Sequence, residues 1–159
     1  MIYWFRFTTF ADVKYTTMKR LFTAISVSLL TVVLYAQEER KPFHAYLYNK
    51  EYEIYLQINF YEQDIKVPGQ ELYGLLPGYL GKERNSFCWV ITSAKVKDDQ
   101  TAEVSFINDY GSEDFSARLT QRNDSIYELK HLEGSTLKVP KNGKWQKIPN
   151  LIEFKRKSD

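Results

Sequence analysis

The chain has 159 residues, 22 basic and 20 acidic side chains and a net charge of +2, enough length for one domain and too balanced a charge for a general nucleic-acid binder. A single cysteine, Cys88, excludes an internal disulfide, so the core alone must hold the fold.

The first patterned element starts at an internal methionine. Met18-Lys19-Arg20 precedes a mostly apolar run from Leu21 to Tyr35, and Ala36 then stands before the polar Gln37-Glu38-Glu39-Arg40-Lys41. A basic start, an apolar middle and a small residue before a polar stretch are the three regions of a secretory signal peptide. The run of 15 residues falls short of the roughly 20 that span a bilayer. Cleavage after Ala36 meets a bulky Leu34 where a small side chain is usual. No cysteine follows that could carry a lipid. The expected product is an exported protein, periplasmic or extracellular in a Gram-negative bacterium, with no stable membrane span after cleavage. Residues 1–17 are aromatic without a strand or helix period and read as a start-site extension or a long leader. The expected division is 1–17, a signal-peptide helix over 18–36, and a single all-β domain over 37–159.

The part from 37 onward keeps 18 basic and 19 acidic residues. A basic excess remains near its end, at Lys138, Lys141, Lys144, Lys147, Lys155, Arg156 and Lys157, and reads as solvated strand faces with a basic tail. No nucleic-acid partner is expected.

Taken in order, the remaining chain is a run of short strands. Phe43–Tyr48 is extended and aromatic. Within Glu51–Tyr61, Tyr52, Ile54, Leu56, Ile58 and Phe60 alternate with more polar residues, the two-residue period of a strand with one buried face. Ile65–Val67 ends at Pro68-Gly69. Ser86–Val96 is apolar on both faces, which predicts cover on both sides; Cys88, between Phe87 and Trp89, reads as buried and inert. Strands follow at Ala102–Ile107, Phe115–Leu119, Ile126–His131, Leu137–Val139, Trp145–Ile148 and Leu151–Arg156. Lys141-Asn142-Gly143-Lys144 contains Asn-Gly, a strong hairpin signal. Nine or ten short strands without a long helix predict an all-β fold. An antiparallel up-and-down meander closing into a barrel comes first, because closure removes exposed edges, and a two-sheet sandwich second.

Three segments are candidates for function. Val67–Arg84 has four glycines and two prolines, which forbid one regular element, yet it is rich in apolar bulk. Leu72, Tyr73, Leu75, Leu76, Tyr79 and Leu80 would either plug one barrel end or form a lid over a small apolar or aromatic ligand. Tyr46, Tyr48, Tyr55 and Tyr61 share an outward or rim face that suits an interface or sugar stacking. Asp109, Glu113 and Asp114 could offer hard oxygens to calcium, although they lack the alternating acidic spacing of a dedicated loop.

Catalytic patterns are missing from the sequence. His44 and His131 lack zinc-site spacing, and neither a Gly-x-Ser-x-Gly elbow nor a phosphate-cradling glycine loop occurs. No cofactor is expected. The sequence reads as an exported non-catalytic binding domain with its ligand under the 69–81 loop. The alternative is a protein-interaction or envelope structural module using the tyrosine face, and a hydrolase ranks third.

A resemblance adds to this. Val67-Pro68-Gly69-Gln70-Glu71, Pro77-Gly78-Tyr79-Leu80-Gly81, Trp89 to Lys95, Asn108 to Glu113 and Gly143-Lys144-Trp145 resemble small exported proteins of Bacteroidota that have no assigned role. The resemblance implies a cell-envelope location and no activity. The strand pattern alone is similar to lipocalin-like barrels, without their usual Gly-x-Trp near the first strand.

Overall fold

The computed structural model describes residues 41–157, so the extension and signal peptide expected over 1–36 lie outside the described residues. Twelve strands run in chain order: β1 (His44–Asn49), β2 (Ile54–Asn59), β3 (Ile65–Lys66), β4 (Leu75–Leu76), β5 (Gly78–Lys82), β6 (Cys88–Asp98), β7 (Thr101–Asn108), β8 (Asp114–Gln121), β9 (Ile126–Gly134), β10 (Lys138–Lys141), β11 (Lys144–Lys147) and β12 (Leu151–Arg156). Eight of them close into an antiparallel barrel in the order β1-β2-β5-β6-β7-β8-β9-β12, with β12 returning to β1. This is the up-and-down meander expected from the sequence, in preference to the sandwich. Two short ribbons interrupt it, β3-β4 between β2 and β5, and β10-β11 between β9 and β12. No α-helix occurs among the described residues, and the one 3₁₀ turn covers Glu71–Tyr73.

The two-residue rhythm decides what faces inward. Leu47, Ile54, Leu56, Ile58, Leu80, Trp89, Ile91, Ala102, Val104, Phe106, Phe115, Ala117, Leu119, Tyr127, Leu129, Ile152 and Phe154 form one buried cluster inside the barrel. Eight strands enclose a space that such side chains can fill. Each fully buried Leu, Ile or Phe contributes roughly 1.5–3 kcal/mol.

Both ends are closed by the chain's own residues. At one end Phe43 stacks on Phe60 with centroids 5.6 Å apart. There Tyr127 Oη donates to the carbonyl of Pro42 at 2.8 Å, and the Arg156 guanidinium donates to the carbonyl of His44 at 2.7 Å. At the other end Leu137, Val139 and Ile148, in and beside the β10-β11 ribbon, join the interior cluster. On that side the inward-pointing Lys82 donates to the Tyr52 carbonyl at 2.8 Å and to Glu53 Oε2 at 3.0 Å. That ammonium holds the Glu53 carboxyl below its usual range.

The 67–84 segment departs from expectation. Its second half is β5, a wall strand whose five residues are all buried. Its first half turns back through β3-β4 along the outside of the barrel. Ile65, Val67 and Leu76 pack there on the outward faces of Tyr55, Tyr79, Cys88, Val90 and Ile107. The ribbon therefore lies along the side of the barrel and not across one of its ends. It shields the apolar outer face of β6, the second cover that the two-faced pattern at 86–96 requires.

Candidate ligand-binding groove

The six residues expected to line a ligand site do not converge. Leu80 points into the core and Tyr79 lies under the ribbon, both buried. Leu76 packs beside Tyr79, whereas Leu72, Tyr73 and Leu75 project into solvent. The hollow under this loop, about 430 Å³, is lined by Lys66, Val67, Pro68, Glu71, Gly74 and Leu75, so it uses Leu75 alone of the expected set.

The tyrosines are gathered in part. Tyr48 stands directly opposite Tyr55 across β1-β2, and Tyr46 stacks on Tyr55 at 5.2 Å. Tyr79 meets Tyr55 edge-on at 5.7 Å and donates from its hydroxyl to Gln57 Oε1 at 3.1 Å. Tyr61 lies beyond the end of β2, with the Lys41 ammonium over its ring. Burial, then the neighbouring Tyr55, raises the Tyr46 phenol above its ordinary value, and the same two causes act in that order on Tyr79. This ladder is an ordered wall, with Tyr46 and Tyr48 only half-buried.

Asp109, Glu113 and Asp114 do not form a cation site. Among the described residues no group of three or more His, Cys, Asp or Glu side chains could hold a metal ion. Two of them, Asp109 and Glu113, instead line a groove of about 280 Å³ at the Trp145 end of the barrel.

Three separate parts of the chain build this groove. The β5-β6 connection and β6 supply Phe87 and Trp89, the β7-β8 turn supplies Asn108, Asp109, Tyr110 and Glu113, and the β10-β11 ribbon supplies Lys138 and Trp145. Trp89 is 3% exposed and forms the floor, edge-on to Phe115 at 5.0 Å. Trp145, 67% exposed, and Tyr110, 85% exposed, present their rings to solvent. Phe87 stands beside Trp145, its ring centroid 6.4 Å away and tilted by 54°.

The Asn-Gly hairpin explains the position of Trp145. Register pairs Lys141 with Lys144 and Pro140 with Trp145, placing the indole on the face that also carries Lys138 and Lys147. Two directly opposed lysine pairs, Lys138 with Lys147 and Lys141 with Lys144, leave this ribbon strongly cationic. The acidic wall is equally fixed. Asn108 Oδ1 accepts from the Ser112 N–H at 2.9 Å, Asn108 Nδ2 donates to Ser112 Oγ at 3.1 Å, and the Asn108 N–H donates to the Glu113 carbonyl at 3.0 Å. Asn108 is spent on the turn, which leaves the carboxylates as the turn's free polar groups. Among the described residues no hydrogen bond or ion pair engages the side chains of Asp109, Glu113 or Lys138.

Sequence reasoning missed this groove as a unit, although it noted Asp109, Glu113, Lys138 and the Phe87-Cys88-Trp89 triplet separately. One local signal was available: a tryptophan beside an Asn-Gly turn with lysines on both strands has no core position to fill.

Cys88 lies under the outer ribbon, between Phe87 and Trp89 of the groove. Burial, then the Asp109 carboxylate, pushes its thiol up to about 12. The folded thiol is thus held neutral, whereas the unfolded one titrates near about 8.5. The stabilisation from this difference is complete below about 8.5 and is lost as pH rises toward 12. Iodoacetamide at pH 8 is expected to leave native Cys88 unmodified and to alkylate it rapidly in denaturant. Fast native labelling would show that the ribbon does not cover it.

His44 and His131 play no joint role. His131 Nε2 lies 3.0 Å from the Ser135 carbonyl, and its ring stacks on Phe115 at 5.6 Å. His44 is exposed at the opposite end of the barrel, where Arg156 takes its carbonyl. No helix of the described residues is long and apolar enough to cross a membrane. No protein-family model matches this chain, and no curated protein or solved structure matches it either.

Proposed function

We propose that this chain is a non-catalytic binding domain that takes its ligand in the groove between Trp145 and the Asn108–Glu113 turn. The observation that carries this reading is the pairing of two solvent-facing aromatic rings with three charged groups that no described residue neutralises. Two exposed rings and three charges unpaired among the described residues, gathered in one concavity, offer a ligand both a stacking surface and polar partners. The cluster of apolar side chains in the barrel interior argues for a ligand held at the end of the barrel instead of within it. The signal-peptide pattern over 18–36 supports an exported setting, in the envelope or outside the cell.

Crystals soaked with a chemically mixed fragment library test the location. Bound fragments are expected to concentrate against Trp145, Phe87 and Tyr110. Fragments that gather around 66–75, or that avoid the Trp145 end, would overturn it.

A second reading, a protein-interaction module, draws on the β1-β2 wall. There Tyr46 and Tyr48 are half-buried, and the Lys157 ammonium lies 5.4 Å from the Tyr46 ring. Alanine at both tyrosines should abolish capture of a partner under this reading and leave groove binding intact.

A further inference from the structure

We infer that the groove's ligand is a saccharide, one ring of which stacks on Trp145 while its hydroxyls reach Asp109, Glu113 and Lys138. This rests on the groove being the binding site, and it adds the chemical class.

The charge pattern suits the simpler ligands less fully. A flat apolar molecule would use Trp145, Tyr110 and Phe87 but would make no use of the two carboxylates and the ammonium beside them, which stay hydrated. An organic cation suits the aromatic faces and both carboxylates but leaves the Lys138 ammonium without a role. A phosphate or carboxylate ligand suits Lys138 and meets both Asp109 and Glu113 as like charges. A neutral ligand that carries an apolar face together with both donors and acceptors uses every group. A pyranose ring has this form, with C–H bonds on its flat side and hydroxyls around its rim. The carboxylates accept from those hydroxyls and the ammonium donates to them, and each such charge-assisted bond is stronger than a neutral one.

Size and rigidity agree. A groove of about 280 Å³ lies just under the range typical of drug-sized ligands and suits a single sugar ring. Its outer rings are solvent-exposed, so an oligosaccharide could run out past Tyr110 or Trp145. The turn that carries Asp109 and Glu113 is already locked by Asn108, and Trp89 beneath is held against Phe115. The backbone of the turn and the groove floor are therefore ordered before binding, and the exposed side chains are what the ligand must fix.

The test is a titration of the ¹⁵N-labelled full chain with methyl β-D-glucopyranoside, methyl α-D-mannopyranoside and N-acetylglucosamine. Indole, tetramethylammonium and inorganic phosphate serve as probes of the other three ligand classes. At least one sugar is expected to shift the Trp145 indole signal and the amides of Phe87 and residues 109–113. Trp145→Ala should weaken that binding at least tenfold without changing the thermal midpoint, and Trp145→Tyr should restore part of it. Lys138→Met should weaken it less. If only indole, tetramethylammonium or phosphate moves these signals, the saccharide inference fails and the groove reading stands. Sugar binding that survives Trp145→Ala likewise overturns the inference. If no probe moves the groove signals, both fail.

Discussion

Gly78→Ala should destabilise the protein by at least about 4 kcal/mol, the range reserved for a specific steric fault. Gly78 opens β5 opposite Ile58 of β2, with φ at +153°, a backbone conformation that L side chains rarely adopt. A methyl group there would lie 2.2 Å from the Gln57 carbonyl oxygen and 3.0 Å from the Ile58 Cα. Both are backbone atoms of the paired strand, so no side-chain rotation can relieve the clash. The wall would have to open between β2 and β5, next to the Asn59 N–H bond to the Pro77 carbonyl at 2.8 Å. Folded domains hold only about 5–15 kcal/mol in total. The thermal midpoint should therefore fall by about 15 °C, or the variant should fail to fold. Gly81→Ala is the control. Its added methyl meets the Tyr55 ring at 2.6 Å, a side chain that can swing away, so about 1–3 kcal/mol is expected together with loss of the Tyr46–Tyr55 stack. Equal midpoints for the two variants would contradict this account of the strand.

Phe115→Ala should cost about 3–5 kcal/mol, because a large buried ring is lost and a cavity stays behind. Phe115 is the centre of an aromatic layer under the groove. Its ring stacks on Phe106 at 4.5 Å with planes 8° apart, lies edge-on to Trp89 at 5.0 Å and faces His131 at 5.6 Å. Three rings lose their common neighbour at once, and β8 cannot move inward to replace it because both its edges are paired. Urea unfolding should show a lowered midpoint with an unchanged slope. Trp89 is the groove floor, so ligand affinity should fall as well, even at temperatures where the variant is folded. A stability loss under about 1.5 kcal/mol, the ordinary range for a volume-conserving change, would mean that the layer repacks freely.

Legibility followed the geometry of burial. The alternation at Ile54, Leu56 and Ile58 was readable because β2 has the core on one side only, and Leu151–Arg156 was placed to the residue for the same reason. Trp89 with Cys88 and Val90 announced cover on two sides, and the outer ribbon supplies it. The strand β5 was hidden because Pro77, Gly78 and Gly81 look like turn chemistry. Here the glycines serve close approach, one to a carbonyl and one beneath a tyrosine ring, which a one-dimensional pattern does not distinguish from a bend. The groove was hidden for a different reason. Its walls come from Phe87, the Asp109–Glu113 turn and Trp145, and only barrel closure and the folded-over β10-β11 ribbon bring those segments together.

The seam between the first and last barrel strands sets the order of assembly. β1 meets β12 through Leu47 opposite Arg156 and Tyr48 opposite Lys155, and Arg156 grips the carbonyl of His44 from 112 residues away in sequence. The ring therefore cannot be completed until nearly the last strand has been synthesised. Up to that moment β1 and β9 each offer a bare hydrogen-bonding edge to any neighbour. Long-range closure of this kind is slow. Exposed edges of this kind are where a partly folded chain pairs with another, so the folding yield is expected to fall as the chain concentration rises.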